Sequence, residues 1–285
     1  MDISKFKNID IKISLNSDKI SERSDLVNFE DIKDLHPLLR KNLNILKFKL
    51  MTPIQKEVIK YIEDGNDVMG CAQTGSGKTI AFLLPIISRL LDEEPLPLNN
   101  SPPCPRLLIM IPTRELAEQI FVEARKLVKE TGILVNKMYG GVPYDEQHEK
   151  MYSGCDILVA TPGRLLDFCK NKNVSLKHIK YLIIDEADRL LDMGFMPQLM
   201  QLAFGTDLTP KENRQNLLFS ATFNEEIRGI SSKFMNEHYF IRTDFETNPA
   251  KNITQELHYS SENEKPDKLN GILNSISGSI ISKFI

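Results

Sequence analysis

The eight residues from Ala72 to Thr79, AQTGSGKT, restrict the fold of this chain more than any other stretch. A short apolar run, DVMGC, precedes them, and a long helix-like run, KTIAFLLPIISRLL, follows. The pattern fits a phosphate-binding loop with Ala72 in place of the usual first glycine. Gly75 and Gly77 open backbone angles closed to other residues, so the N–H groups of Gln73, Thr74, Gly75, Ser76 and Gly77 can converge on phosphate oxygens. Lys78 adds a point charge, and the Thr79 hydroxyl suits a metal ion. A plain glycine-rich turn before a buried helix needs neither Lys78 nor Thr79.

A second signal lies at Tyr181 to Asp188, YLIIDEAD, an apolar run ending in carboxylates. In an open α/β sheet, ligands sit beyond the carboxyl ends of the strands, where this run delivers its acidic residues. Asp185 is thereby the candidate magnesium partner. Glu186 is the candidate group that orients or activates an attacking water.

Short β-branched or leucine-rich runs alternate with helical patterns from Phe29 onward: DVMGC, RLLIMI, LVNKMY, DILVA, YLIID, NLLFS and YFIR. Between them, segments such as RELAEQIFVEARKLVKE place Leu116, Ile120, Ala124, Leu127 and Val128 on one helical face. The alternation predicts an α/β fold with a mainly parallel sheet covered by helices on both faces. Residues 1–27 are expected to form a flexible N-terminal arm, 28–245 the nucleotide-binding domain, 246–266 a linker, and 267–285 the truncated start of a second domain. The Pro-rich stretch EEPLPLNNSPPCP reads as a surface loop.

Composition narrows the setting. The 285 residues are 41% hydrophobic, enough for one full core and marginal for two. Four cysteines form no CxxC pair and the five histidines show no ligand spacing, so neither a disulfide-linked partner nor a zinc site is expected. The N-terminus lacks the unbroken apolar core of a signal peptide, and no stretch approaches a membrane span. An intracellular, reducing compartment is the expectation, the cytoplasm ahead of the nucleus. With a net charge of −3, any nucleic-acid surface must be local.

Read in order, the motifs resemble the DEAD-box family of ATP-dependent RNA helicases. They are TPIQ at Thr52 to Gln55, AQTGSGKT, PTRELA at Pro112 to Ala117, the pair Gly140 and Gly141, TPGR at Thr161 to Arg164, DEAD at Asp185 to Asp188, and SAT at Ser220 to Thr222. The flanking text resembles the Vasa branch and its translation-initiation relatives. The resemblance implies a RecA-like P-loop domain using ATP and Mg2+. It implies Gln55 reading adenine and Phe48 stacking on it, with Phe29 as the upstream aromatic of the same element; each phenylalanine alone, without the flanking Gln55, reads first as core packing. It places Pro112, Thr113, Arg114, Gly140, Gly141, Thr161, Pro162, Gly163 and Arg164 along an RNA backbone, with little sequence preference. TPGR by itself reads as a strand-to-helix turn capped by Thr161.

Ser220 and Thr222 are expected to hydrogen-bond Asp188 or another carboxylate of the cluster, coupling ATP state to domain closure; capping of the helix near Asn224 is the local alternative. Two departures from the family pattern stand out. Lys47 and Met51 replace a usual glycine and proline, and Leu50 occupies a commonly basic position. The second RecA-like domain with its γ-phosphate arginine lies outside the sequence, so these residues alone are expected to hydrolyse ATP poorly. An ATP-gated RNA clamp or assembly factor within a ribonucleoprotein or translation-initiation complex uses the same motifs and is the alternative to a helicase.

Overall fold

The computed structural model describes residues 10–15, 18–20, 24–97, 102–244, 256 and 258–275. The chain divides into two units, Met1–Phe245 and Glu246–Ile285. Two short strands, β1 (Asp10–Leu15) and β2 (Asp18–Ile20), come first, followed by helices α1 (Pro37–Ile45) and α2 (Pro53–Glu63). Strand β3 (Asp67–Cys71) leads through the glycine loop into α3 (Lys78–Asp92). Then come β4 (Leu107–Met110), α4 (Arg114–Leu127), β5 (Val135–Met138), α5 (Tyr144–Tyr152), β6 (Ile157–Ala160) and α6 (Pro162–Lys170). The first unit closes with β7 (Tyr181–Ile184), α7 (Ala187–Asp192), α8 (Met196–Gly205), β8 (Gln215–Ser220), α9 (Glu225–Phe234) and β9 (His238–Asp244). In the second unit a capping box at Ser261, closed by Glu264, precedes α10 (Lys265–Ser275). The expected linker around FETNPAKNITQ falls largely outside the described residues, as does 276–285.

The strands form one sheet in the order β2-β1-β9-β3-β8-β7-β4-β6-β5. From β9 to β5 every pairing is parallel. The reason lies in the strands themselves, whose residues are buried on both faces, as LLIM, ILVA and YLII show. Alternate residues feed separate cores. Leu107, Ile109, Ile157, Val159 and Ile183 pack with residues of α1 to α4. Leu108, Met110, Leu158, Ala160 and Ile184 pack with residues of α6 to α9. This is the helix-on-both-faces α/β architecture expected from the sequence.

All seven strand-like runs of the sequence are strands. The expectation of a flexible arm over residues 1–27 is corrected for 10–15 and 18–20. β1 pairs antiparallel with β9, with Ile11 opposite Thr243 and Ile13 opposite Ile241, and β2 folds back on β1. Ile11 and Ile13 are buried. Their alternation with Lys12 and Ser14 is the period-two signal of a half-buried strand, and it offers β9 a partner in place of an open edge.

At the other end of the strands, Asp67 accepts hydrogen bonds from Asn216 N (2.7 Å), Asn216 Nδ2 (3.0 Å) and Asn236 N (2.8 Å). These bonds pin the start of β3 to β8 and to the entry of β9. The loops at the far ends of β3 and β8 are held in register as a result.

Lys47, standing where the resembled family carries glycine, has φ +59. It follows α1 in a Schellman turn, with Lys47 N bonded to Asn44 O and Phe48 N to Leu43 O. A left-handed backbone costs a side-chain-bearing residue about 1–2 kcal/mol. Lys47→Gly is expected to stabilise the fold by about 1 kcal/mol, part of the relief being offset by glycine's freedom in the unfolded chain. Urea unfolding checks this, through a raised midpoint at unchanged slope.

Candidate functional site

Parallel strands bring their carboxyl ends to one edge, and the sheet order arranges the motifs along it. The glycine loop follows β3, SAT ends β8, DEAD follows β7, PTRELA follows β4, TPGR follows β6, and the glycine pair follows β5. In space these strands run β3-β8-β7-β4-β6-β5. Motifs scattered over 72 to 222 in sequence thus fall into two adjacent groups.

The first group surrounds the glycine loop. Gly75 and Gly77 take φ +81 and +96, which turns β3 into α3. Gly77 also admits a close approach, since a Cβ there would lie 2.5 Å from Gln55 Nε2 and 3.1 Å from Thr52 Oγ1. Gln55 uses both ends of its amide within the protein: Nε2 donates to Gly77 O (3.0 Å) and Oε1 accepts from Thr52 N (2.8 Å). Gln55 therefore caps α2 and ties it to the phosphate loop. Phe48 packs edge-on against buried Phe29 with 5.6 Å between ring centroids.

Lys78 is buried, and its ammonium donates to Ala72 O (2.8 Å). The loop faces a cavity of about 590 Å³, lined by Thr74, Gly75, Gly77, Lys78 and Thr79 on one side and by Asp185 and Glu186 on another. That volume lies within the ordinary range for small-molecule sites. Residues of α4 complete the wall, among them Glu118, Gln119 and Glu123. This α4 face carries no motif and went unassigned in the sequence, where the apolar spacing from Leu116 marks only the core-facing side of the helix.

Asp185 and Glu186 are both about 95% buried. Burial pushes the Asp185 carboxyl up to about 6; Lys78 opposes this, and Glu186 adds to it. Glu186 accepts from Thr74 Oγ1 (3.3 Å), lies 3.5 Å from Arg189, and has φ +53 and ψ +48. A non-glycine residue in this strained backbone region marks a functional candidate.

Asp188 Oδ2 accepts from Ala221 N (3.1 Å), Thr222 N (3.2 Å) and Thr222 Oγ1 (3.4 Å). Thr222 thus joins the acidic cluster directly, together with the backbone of Ala221. Ser220 is fully buried, and its hydroxyl accepts from Thr222 N (3.4 Å). The helix after SAT is capped by Asn224, not by these hydroxyls.

The second group occupies the ends of β4, β6 and β5. Thr113 caps α4 by accepting from Leu116 N (3.3 Å), and Arg114 is exposed. Pro112 and Pro162 are buried beside these turns, and Thr161 is buried at the start of α6. Gly140 and Gly141 are exposed, Gly141 has φ +78, and no atom lies within 4 Å of where a Cβ would stand at either glycine or at Gly163. Arg164 donates through Nη2 to Val142 O (3.0 Å).

Among the described residues, no helix is long and apolar enough to cross a membrane. The four cysteines are free thiols.

A strand turning through left-handed glycines into a Lys-Thr helix start, with a carboxylate pair two strands away, defines a P-loop domain of the RecA-like α/β class. The chain belongs to the DEAD/DEAH box helicase family, whose sequence profile matches residues 52–230. Its fold is similar to the crystal structure of the yeast DEAD-box splicing factor Prp28, at 33% identity and a TM-score of 0.76 over 92% of this chain. It is also similar to a DEAD box protein from the hyperthermophile Methanococcus jannaschii, at 31% identity and a TM-score of 0.68 over 87% of this chain. The chain spans 60% and 63% of the lengths of those two proteins.

Proposed function

We propose that the protein is an ATP-dependent RNA helicase, in which this chain supplies the ATP-binding domain and half of the RNA-binding surface. The observation that supports this most is the arrangement of six motif groups along one sheet edge, phosphate-binding residues at one end and, at the other, exposed Arg114, Gly140 and Gly141 beside half-buried Arg164.

The residues around the cavity suit Mg–ATP. The Ser76 hydroxyl is buried in the loop with no hydrogen-bond partner among the described residues, and Asp185 is destabilised as an anion. Both are relieved by a phosphate with its cation. The loop N–H groups and Lys78 would hold the phosphates, and Thr79 and Asp185 the magnesium. Among the described residues no preformed cluster of three His, Cys, Asp or Glu ligands exists; magnesium instead uses one or two protein groups together with phosphate oxygens and water. Bound Mg–ATP supplies the phosphoryl group and the charge that keeps it in place.

Glu186, buried at the cavity wall, would orient water and accept its proton. The Asp188–Thr222 bond carries the state of this site to β8. Gln55, in this geometry, supports the loop; a role in reading adenine requires its amide to exchange Gly77 or Thr52 for the base. Lys78 is the only cation among the cavity-lining residues, against Glu118, Glu123, Asp185 and Glu186. Stabilising phosphoryl transfer therefore calls on an arginine from a second domain, a contribution of roughly 10³ to 10⁵ in rate.

ATPase assays with and without single-stranded RNA test the reading, on these 285 residues alone and joined to a second RecA-like domain. RNA-stimulated turnover, with displacement of a short duplex strand, is expected only in the joined protein. Robust RNA-stimulated turnover by the 285 residues alone would overturn the division of labour. Absence of stimulation in both would overturn the helicase reading.

A further inference from the structure

The loop carrying the glycine pair is bracketed by two tyrosines, and each faces an arginine from a different motif. The Arg114 guanidinium lies 5.3 Å from the Tyr139 ring centroid, and the Arg164 guanidinium lies 5.7 Å from that of Tyr144. Both arginines are thus within the distance at which a cation is attracted to an aromatic face.

Each ring is itself fixed. Gln147 of α5 pairs with both backbone groups of Tyr139, through Oε1 to its N–H (2.8 Å) and Nε2 to its carbonyl (3.1 Å). The Tyr139 hydroxyl donates to the Glu118 carboxylate, which Lys137 also engages. The Tyr144 ring stacks on buried Phe168 with 4.2 Å between centroids, and its hydroxyl accepts from Asn173 Nδ2 (2.7 Å). Arg164 is further held by Val142 O, from within the same loop. Its Nη1 is buried with no hydrogen-bond partner among the described residues.

We infer that Tyr139 and Tyr144 are positioning residues that hold Arg114 and Arg164 in one fixed arrangement around the glycine pair, making three separate motifs a single RNA-phosphate cradle. The inference rests on the proposed RNA-binding role of the two arginines. Its physical content is preorganisation: an exposed arginine loses rotamer freedom when it binds a phosphate, and a guanidinium already seated on a ring has less to lose.

The test is equilibrium binding of a fluorescent single-stranded oligouridylate to the 285-residue chain over a series of salt concentrations, with affinity for a Mg–ATP analogue as the check on folding. Arg114→Ala and Arg164→Ala are expected to weaken RNA binding and to lower the salt slope by about 0.7 for each phosphate no longer neutralised. Tyr139→Leu and Tyr144→Leu are expected to weaken it about threefold to tenfold, the range covered by ordering one rotamer-rich side chain on binding. Tyr→Phe at either site keeps the ring face and is expected to stay within about twofold of the parent. Met is the second ring-free replacement should Leu disturb ATP-analogue binding.

The double variants decide the matter. Tyr139→Leu should add nothing in the Arg114→Ala background, and Tyr144→Leu nothing in the Arg164→Ala background. Additive effects, or ring-free variants with parental affinity beside weakened Arg variants, would overturn the positioning role and leave the RNA reading standing. Arg variants with parental RNA affinity and salt slope would overturn both.

Discussion

Glu186→Gln is expected to leave ATP and RNA affinity in place while lowering turnover about 10²- to 10⁴-fold in a protein that carries both domains, the range that a positioned acid or base contributes. The side chain of Gln has nearly the same shape and can still accept from Thr74 Oγ1. What it loses is the capacity to take a proton. It also keeps the left-handed backbone cost at this position, so stability should change little. Removing the Glu186 charge takes away one of the influences that raise the Asp185 carboxyl to about 6, so Asp185 should ionise more readily. Single-turnover hydrolysis measured beside nucleotide affinity checks the assignment. Unchanged turnover would remove Glu186 from its role.

Gly77→Ala is expected to damage the site from a different direction. At φ +96 a side chain costs about 1–2 kcal/mol, and the new methyl would meet Gln55 Nε2 at 2.5 Å. Gln55 must then withdraw from Gly77 O and Thr52 N, which removes the link between α2 and the loop. We expect a loss of about 2–4 kcal/mol in stability, the sum of backbone strain and one or two broken buried hydrogen bonds. ATP affinity should fall at least about tenfold, since the N–H groups of the loop lose their convergence. By contrast, Gly75→Ala meets no atom within 4 Å and carries only the backbone cost of φ +81. Comparing the two variants by urea unfolding and nucleotide titration separates strain from steric displacement.

Much of this was legible in the sequence, for a physical reason. Strands buried on both faces must be apolar throughout, so runs such as ILVA and YLII stand out, and parallel connectivity then forces their motif-bearing ends to one edge. β1 escaped notice because Ile11 and Ile13 alternate with polar residues amid many charges, and a half-buried strand shows only half a signal. The α4 wall of the cavity stayed hidden because Ile120, Ala124 and Leu127 pick out the core-facing side of that helix and leave its other side unread. Lys47 was legible as a departure from pattern, whereas its meaning, a strained Schellman position, required the backbone angle. The tyrosines beside the glycine pair carry no motif of their own; their pairing with Arg114 and Arg164 exists only in three dimensions. The assignment to a Vasa-like branch rests on flanking sequence alone.

The central claim is that one sheet edge holds nucleotide at the β3–β8–β7 end and RNA at the β4–β6–β5 end. The most direct measurement is backbone amide NMR of the 285-residue chain, titrated first with a Mg–ATP analogue and separately with oligouridylate. The expected result is nucleotide-induced shifts concentrated at 72–79 and 185–188, and RNA-induced shifts concentrated at 113–114, 140–142 and 161–164. RNA shifts that fall on the nucleotide residues, or away from the edge altogether, would contradict it.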